Sequence, residues 1–422
     1  MLLYTSRYGI TKLQAIIIAV IVIVGAIVGI FTYQFMTPKE KAEEILIGAA
    51  VSQTGVYAAT GSKVLRGYQL WAKLVNEKGG ILGRTVRLIT YDDKSDPSLT
   101  KTLYERLITV DKVDLILGPY SSACALTMIP VAEQYGMVTI QPTNNARKLY
   151  ASGYEYQFLA PCSEGLADLH NFEPVIKLLA SLPQDIRPKT VALVNTADVY
   201  PQSVADGIPP LCEKYGFQLV FSDKIEKGTT DVSGVVTRVK NLNPDVFIAV
   251  GYVPEETLVV KTCKELGFNP KAMVIAVGMQ SAPLDTIKTL GETANYVMGP
   301  AFYDPRLPFA SNKEFVEAYR AEYGEDPQFV DAGGYAACQL LEAAIAGTGT
   351  YKDQNAIKEY LLTHKISTVF GIWEVDNDLA LQGIKYIPKT TVYAAQILNG
   401  KVELVYPPGI ATANFVYPKP PW

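Results

Sequence analysis

Ser121 and Ser122 stand at the mouth of an apolar helix, directly after a Gly118-Pro119 turn, in the run DLILGPYSSACALTMIPVAEQYGMVTIQP (114–142). The first turn of a helix leaves backbone N–H groups without partners and carries a partial positive charge. A serine hydroxyl beside those groups makes a seat for a small carboxylate or another acceptor group. Serine is equally suited to capping its own helix, and the spacing supports both readings. Tyr57, Tyr200 and Tyr252 fall in turns at or near strand C-termini. An aromatic ring with a polar tip in such a turn can cover a bound solute.

The rest of the chain offers little for catalysis. The two histidines, His170 and His364, lie far apart with no neighbouring nucleophile and read as ordinary helix residues. Five cysteines (Cys124, Cys162, Cys212, Cys263 and Cys338) show neither CxxC nor metal-ligand spacing. Their apolar neighbours mark them as small buried hydrophobes, and an odd number cannot all be paired. There is no phosphate loop, dinucleotide fingerprint or nucleophile elbow. No enzyme activity, cofactor or metal is therefore expected. A net charge of −4 over 422 residues argues against a nucleic-acid partner.

The elements that must hold these residues alternate. Apolar runs at 45–51, 86–91, 113–117 and 137–141 predict strands, with helices near 62–77, 98–109 and 121–135 between them. A transitional strand at 154–160 leads to a second set: strands at 190–194, 217–222, 246–250 and 272–276, helices near 202–215, 231–241 and 255–266. Each crossover is long enough for one helix, as parallel pairing demands. Ligands of such sheets sit beyond the strand C-termini, where the serines and tyrosines fall. After Tyr296, helices near 311–323, 328–346 and 353–362 follow one another, then strands at 368–375, 390–397 and 401–406. Asn399-Gly400 joins the last two as a hairpin. The fold class is α/β, with two Rossmann-like lobes. Trp71 and Trp373 read as packing residues, and Asp92 and Asp93 as capping and solvated residues at a strand end.

From Ala15 to Phe31 there is no charged or strongly polar side chain, and Leu13 to Tyr33 stays permissive. About 20 such residues, at ~1.5 Å each, cross a hydrocarbon core of roughly 30 Å. Arg7 and Lys12 precede the run with no acid before them, which favours a cytoplasmic N-terminus and an exported remainder; Lys39 and Lys41 weaken the asymmetry. Residues 1–12 then form a short n-region, 13–35 a single-pass anchor and 36–44 a polar linker. The segment RYGITKLQAIII also resembles archaeal pilin-type signals, which are cut after a glycine such as Gly9.

Seven segments add a further likeness: GAAVSQTGVYAATG (48–61), NEKGGILGRTVRL (76–88), YDDKSDP (91–97), GPYSS (118–122), VGYVPEE (250–256), TVFGIWEVD (368–376) and QILNGKVELVYP (396–407). In this order and spacing they resemble the solute-binding proteins of branched-chain amino acid ABC importers, which have the type I periplasmic-binding-protein fold. The resemblance implies lobe one at 45–160 with 299–370, lobe two at 161–298 with 371–422, and a multi-strand hinge. It also implies closure on a small solute and partnership with separate permease and ATPase subunits. A ligand sensor, or a filament or scaffold component, is the alternative.

Carried over residue by residue, the resemblance makes Ser122 the serine that holds a ligand carboxylate, with Ser121 beside it. Thr143 and Asn145 fall in the loop after the next strand; where the family has a threonine for the carboxylate, this chain has Asn145, which both donates and accepts. Tyr200 matches the aromatic cover of the second lobe, Tyr252 lies near the matching loop of the next unit, and Tyr57 faces the cleft from the first loop. One departure stands out. Amino-acid binders of the family place a carboxylate after the strand at 272–276 to pair with the ammonium, and here that position is Val277. An enclosed ammonium without a counter-charge costs several kcal/mol, whereas burying a leucine-sized side chain returns only about 1.5–3 kcal/mol. Either Asp198 or Glu255 substitutes, or the ligand is a neutral or anionic solute such as an amide, a urea-like compound or a carboxylic acid. Glu255 and Glu256 otherwise read as first-turn acids complementing a helix dipole.

Overall fold

The computed structural model describes residues 11–36, 43–161, 171–376, 388 and 392–422. Arg7, Gly9, Lys39, Lys41, Cys162 and His170 lie outside the described residues. The chain divides into two compact units, Met1–Glu43 and Glu44–Trp422. In the first, Lys12–Met36 is one helix, α1. Its side chains are described through Ala26, and the large apolar ones among them, such as Leu13, Ile17 and Val22, are exposed. Among the described residues no helix is long and apolar enough to cross a membrane; the side chains of 27–36 fall outside that description.

In the second unit, β1 (Ile45–Val51), β2 (Val86–Asp92), β3 (Leu115–Leu117), β4 (Thr139–Gln141) and β5 (Gln157–Leu159) form one sheet. All pairs are parallel, in the order β2-β1-β3-β4-β5. The connecting helices are α2 (Ala58–Glu77), α3 (Pro97–Thr109), α4 (Ser122–Tyr135) and a short α5 (Arg147–Tyr150). Ile45, Ile47, Leu115, Ile116 and Ile140 are fully buried, as expected for strands covered on both faces. Local signals set the helix ends. The Asp96 carboxylate accepts from the N–H groups of Ser98 and Leu99 with Pro97 at the first helical position, and a left-handed Gly136 stops α4.

The second sheet takes β6 (Thr190–Thr196), β7 (Gln218–Ile225), β8 (Val246–Val250), β9 (Ala272–Ile275) and β10 (Met298–Ala301) in the parallel order β10-β9-β8-β6-β7. With it lie α6 (Glu173–Ala180), α7 (Val199–Tyr215), α8 (Ser233–Leu242), α9 (Val253–Glu265), α10 (Val277–Gln280) and α11 (Pro283–Leu290). The sequence reading placed the return to the first half at 299. The structure moves it beyond Ala301, because residues 298–301 are a strand of the second sheet.

Three helices follow: α12 (Ala310–Tyr323), α13 (Phe329–Thr348) and α14 (Gln354–Thr363). α13 packs along α2 so closely that a Cβ on Gly67 would overlap the Asp331 carbonyl oxygen and stand 2.7 Å from the Tyr335 nitrogen. On the facing side, a Cβ on Gly334 would overlap the Val64 carbonyl oxygen. The single strand expected at 368–375 is instead a tight antiparallel pair, β11 (Ile366–Thr368) and β12 (Gly371–Trp373). Gly371, at φ +98°, is what breaks the run. The chain then adds β13 (Tyr393–Leu398) and β14 (Lys401–Tyr406) antiparallel beyond β10. Asn399 and Gly400 turn between them, both at positive φ. Trp71 and Trp373 are buried; their indole N–H groups donate to Glu342 and to the Leu159 carbonyl.

The α2–α13 contact leaves no room for a methyl group. Gly67→Ala is expected to lower stability by about 1–3 kcal/mol, read as a shift of the urea unfolding midpoint by circular dichroism; an unshifted midpoint would place the helices further apart than described.

Candidate functional site

Each parallel sheet reverses its direction of strand addition once, between β1 and β3 in the first and between β6 and β8 in the second. Crevices open at the C-terminal ends of strands at such points. The loops there are residues 52–57 and 118–121 from the first sheet, and 197–198 and 251–252 from the second. Two of them, 118–121 and 251–252, reach a cavity of about 20 Å³ lined by Tyr120, Ser121, Ser122, Thr143 and Asn144 on one side and by Tyr200, Tyr252, Gln280 and Ser281 on the other. A void of that size holds about one water, too little for a solute as large as an amino acid.

The two serines divide the two readings between them. Ser121 is the N-cap of α4: its hydroxyl accepts from the Cys124 N–H at 3.2 Å, with φ +76°. Ser122, the first helical residue, has a buried Oγ with no hydrogen-bond partner among the described residues. The same holds for Thr143 Oγ1, Asn145 Oδ1, Tyr252 OH and Gln280 Oε1. Buried polar atoms are satisfied in folded proteins with few exceptions, and leaving one unpaired costs about 1–3 kcal/mol. Five of them in and beside one crevice describe a surface shaped for a polar guest.

Tyr200 OH accepts from Gln280 Nε2 and from Asn171 Nδ2, the latter at 3.4 Å. Tyr57 does not line the cavity. It sits one ring behind, edge-on to Tyr252 at 5.0 Å and to Tyr120 at 6.0 Å between ring centroids. Its hydroxyl donates across to Asp198 Oδ2 at 2.5 Å. Asn145 is buried nearby but is not part of the cavity lining. Tyr120, Asn144, Gln280 and Ser281 complete the lining, and the sequence reading singled out none of them. Gln280 and Ser281 lie in IAVGMQSAP, just past β9, and their polar side chains at a strand C-terminus were the available signal. Asn144 is fixed by donating to the Pro119 carbonyl at 2.7 Å and to Gln141 Oε1 at 2.9 Å.

The acids behave differently from the first-turn reading. Glu256 is buried and accepts four backbone N–H bonds: from Gly251 at 2.9 Å, Ala276 at 2.9 Å, Val277 at 2.9 Å and Gly278 at 2.6 Å. Desolvation pushes its carboxyl up to about 8, while those four N–H groups pull the other way. All four neighbours donate, so the anion is the form that satisfies them. It therefore ties the β8–α9 turn to the start of α10, a brace and not a surface dipole partner. Val277, the position lacking the expected carboxylate, donates its N–H to this brace. Glu255 is also buried, and its Oε1 accepts from the Gly228 N–H at 2.8 Å. Asp92 and Asp93 order the loop after β1. Asp92 accepts from the N–H groups of Gln53 and Thr54, and Asp93 from Ser52 Oγ at 2.6 Å. Cys124, Cys212, Cys263 and Cys338 are buried free thiols, and burial pushes Cys124 up to about 12. His364 stacks on Tyr360 at the end of α14.

A family profile described as "Periplasmic binding protein" matches residues 44–399. The amino acid binding protein of Pseudomonas aeruginosa is 26% identical over 341 residues, covering 80% of this chain and 87% of that protein. The Leu/Ile/Val-binding protein of Escherichia coli is 27% identical over 342 residues, covering 80% and 89%. Among solved structures, the branched-chain amino acid transporter substrate-binding protein LivJ of Streptococcus pneumoniae, in complex with isoleucine, superposes with a TM-score of 0.75 at 23% identity, covering 86% of this chain and 100% of that one. A solute-binding protein of an ABC transporter from R. palustris, in complex with benzoate, gives a TM-score of 0.75 at 18% identity, covering 89% and 98%. At these identities the structural likeness is one of fold.

The four-amide brace generates its own expectation. Glu256→Gln turns an NH₂ group toward backbone donors and is expected to cost about 1–3 kcal/mol, read as a lowered thermal unfolding midpoint; an unchanged midpoint would deny the brace its role.

Proposed function

The chain belongs to the periplasmic binding protein family, and from that premise we propose that it captures a small polar solute between its two sheets by hinge closure. The set of buried, unpartnered polar atoms at Ser122, Thr143, Tyr252 and Gln280 carries this reading. These atoms come from both halves, so a solute bonded to all of them favours the joined arrangement over the parted one, and its binding energy is the closing free energy. Ser122, Ser121 and Thr143 present hydroxyls and the start of α4 to an acceptor group. The Gln280 carbonyl oxygen, with Asn145 beside the crevice, offers acceptors to N–H or O–H donors. Among the described residues no carboxylate lines the cavity. That pattern suits an amide, a urea-like compound or a carboxylic acid better than a solute with a free ammonium.

The relatives named for amino acid binding support a role in solute uptake, and we read this chain as the capture component of an ABC importer whose permease and ATPase are separate proteins. The exposed apolar side chains of α1 and the uncharged run from Ala15 to Phe31 support a single-pass anchor that keeps the binding unit outside the cell.

Mass spectrometry of small molecules released from the purified full chain names the probe, and calorimetric titration then tests the site. Ser122→Ala is expected to weaken binding by about 1–3 kcal/mol by leaving a ligand acceptor unpaired. Full affinity in that variant would move the site elsewhere.

A further inference from the structure

Behind Tyr252 lies a charge cluster that the capture reading does not use. Asp198 is the N-cap of α7, and its side chain is 5% exposed. Oδ1 accepts from the Val199 N–H at 2.6 Å; Oδ2 accepts from Tyr57 OH at 2.5 Å and meets Lys227 Nζ at 3.1 Å. The same ammonium donates to Tyr57 OH at 3.1 Å and lies 5.1 Å from that ring's centroid. Lys227 reaches this point from the turn between β7 and α8, where Glu255 holds the next residue's N–H. Among the described residues, Asp198 is engaged by Lys227 and Tyr57, Glu256 by four amides, and Glu255 through one of its oxygens, with Oε2 left buried and unpartnered.

We propose that Lys227 is a specificity-determining residue: by neutralising Asp198 behind the tyrosine wall, it withdraws that carboxylate as a counter-charge for a solute bearing an ammonium. This rests on the crevice being the ligand site. A carboxylate already paired at hydrogen-bond distance offers an incoming cation little net attraction, whereas an unpaired one in a partly buried wall offers a great deal. Tyr57 belongs to the first half, and Asp198 and Lys227 to the second. The Asp198–Lys227 pair is neutral within the second half alone; closure adds the Tyr57 hydroxyl and removes water, which is when the desolvation of an ammonium is felt. Lys227 acts through Asp198 and Tyr57 and is a positioning residue, not a ligand contact.

The test titrates the full chain with L-leucine, 4-methylpentanoate and 4-methylpentanamide, which share one carbon skeleton and differ in charge. Wild type is expected to prefer the two ammonium-free probes. Lys227→Met, which keeps the stem and removes the charge, is expected to shift the leucine/4-methylpentanoate affinity ratio toward leucine by about tenfold or more. Lys227→Arg should keep the wild-type ratio, and Asp198→Asn combined with Lys227→Met should abolish the shift. An unchanged ratio in Lys227→Met, including failure to gain leucine binding, overturns the proposal. So does a leucine affinity that depends on Glu255 and not on Lys227, shown by Glu255→Gln. Ser122→Ala separates the two levels. If it weakens all probes equally while Lys227→Met leaves the ratio alone, the crevice stands and only the charge-selection proposal falls; if it weakens none, the crevice falls as well.

Discussion

The Glu256 carboxylate is the fixed point of the crevice. Four backbone amides from two separate turns end on its two oxygens, at 2.6–2.9 Å. This sets where α10 begins, and α10 is one turn long, too short to hold itself in place by helical hydrogen bonds alone. Gln280, its last residue, reaches Tyr200 from there, and Tyr200 and Gln280 together form much of the second half's face of the cavity. Among the described residues Glu256 forms no ion pair, and a buried anion is tolerated there because hydrogen bonds to charge are the strong kind. The same anion consumes the N–H groups that would otherwise make the start of α10 an anion seat.

On the opposite face the helix start at Ser122 is left open, so the two halves are electrically unlike. The first half presents hydroxyls and a helix N-terminus, and the second presents aromatic rings, an amide side chain and a serine hydroxyl. Tyr57 links them from behind, its ring against Tyr120 and Tyr252 and its hydroxyl on Asp198. Among the described residues the cavity is lined by neutral donors and acceptors from both halves, with the Asp198–Lys227 pair one layer back.

Much of this could be read from the sequence, for identifiable reasons. The β1, β6 and β8 runs are continuous and apolar, so their position and burial follow from period alone. Ser121 and Ser122 stood out because Gly118-Pro119 marks the turn before them, and the Asn399-Gly400 hairpin was explicit. Other features depend on distance in the chain. Nothing near Glu256 signals that its partners are Ala276, Val277 and Gly278, about twenty positions on, so it read as an ordinary first-turn acid. Gln280 and Ser281 sit on a helix too short to show a period. The break between β11 and β12 depends on Gly371 adopting a positive φ against Phe309, which an apolar run of eight residues conceals. Tyr57 was placed at the crevice but belongs one ring behind it, because loop position gives the neighbourhood of a side chain and not its depth.

The close seat of α13 on α2 has a consequence for how the molecule comes into being. Residues 58–77 must wait for residues 329–348 before their glycine-lined face is covered, although β1 to β5 lie wholly within the first 159 positions. The nascent first half is therefore incomplete until α13 is made, with the α2 face that receives it uncovered. Such long-range closure slows folding and prolongs exposure to unwanted association. The parallel strands of the second half and their helices are by contrast contiguous in sequence from β6 to β10, and only β13 and β14 of that sheet come after α13.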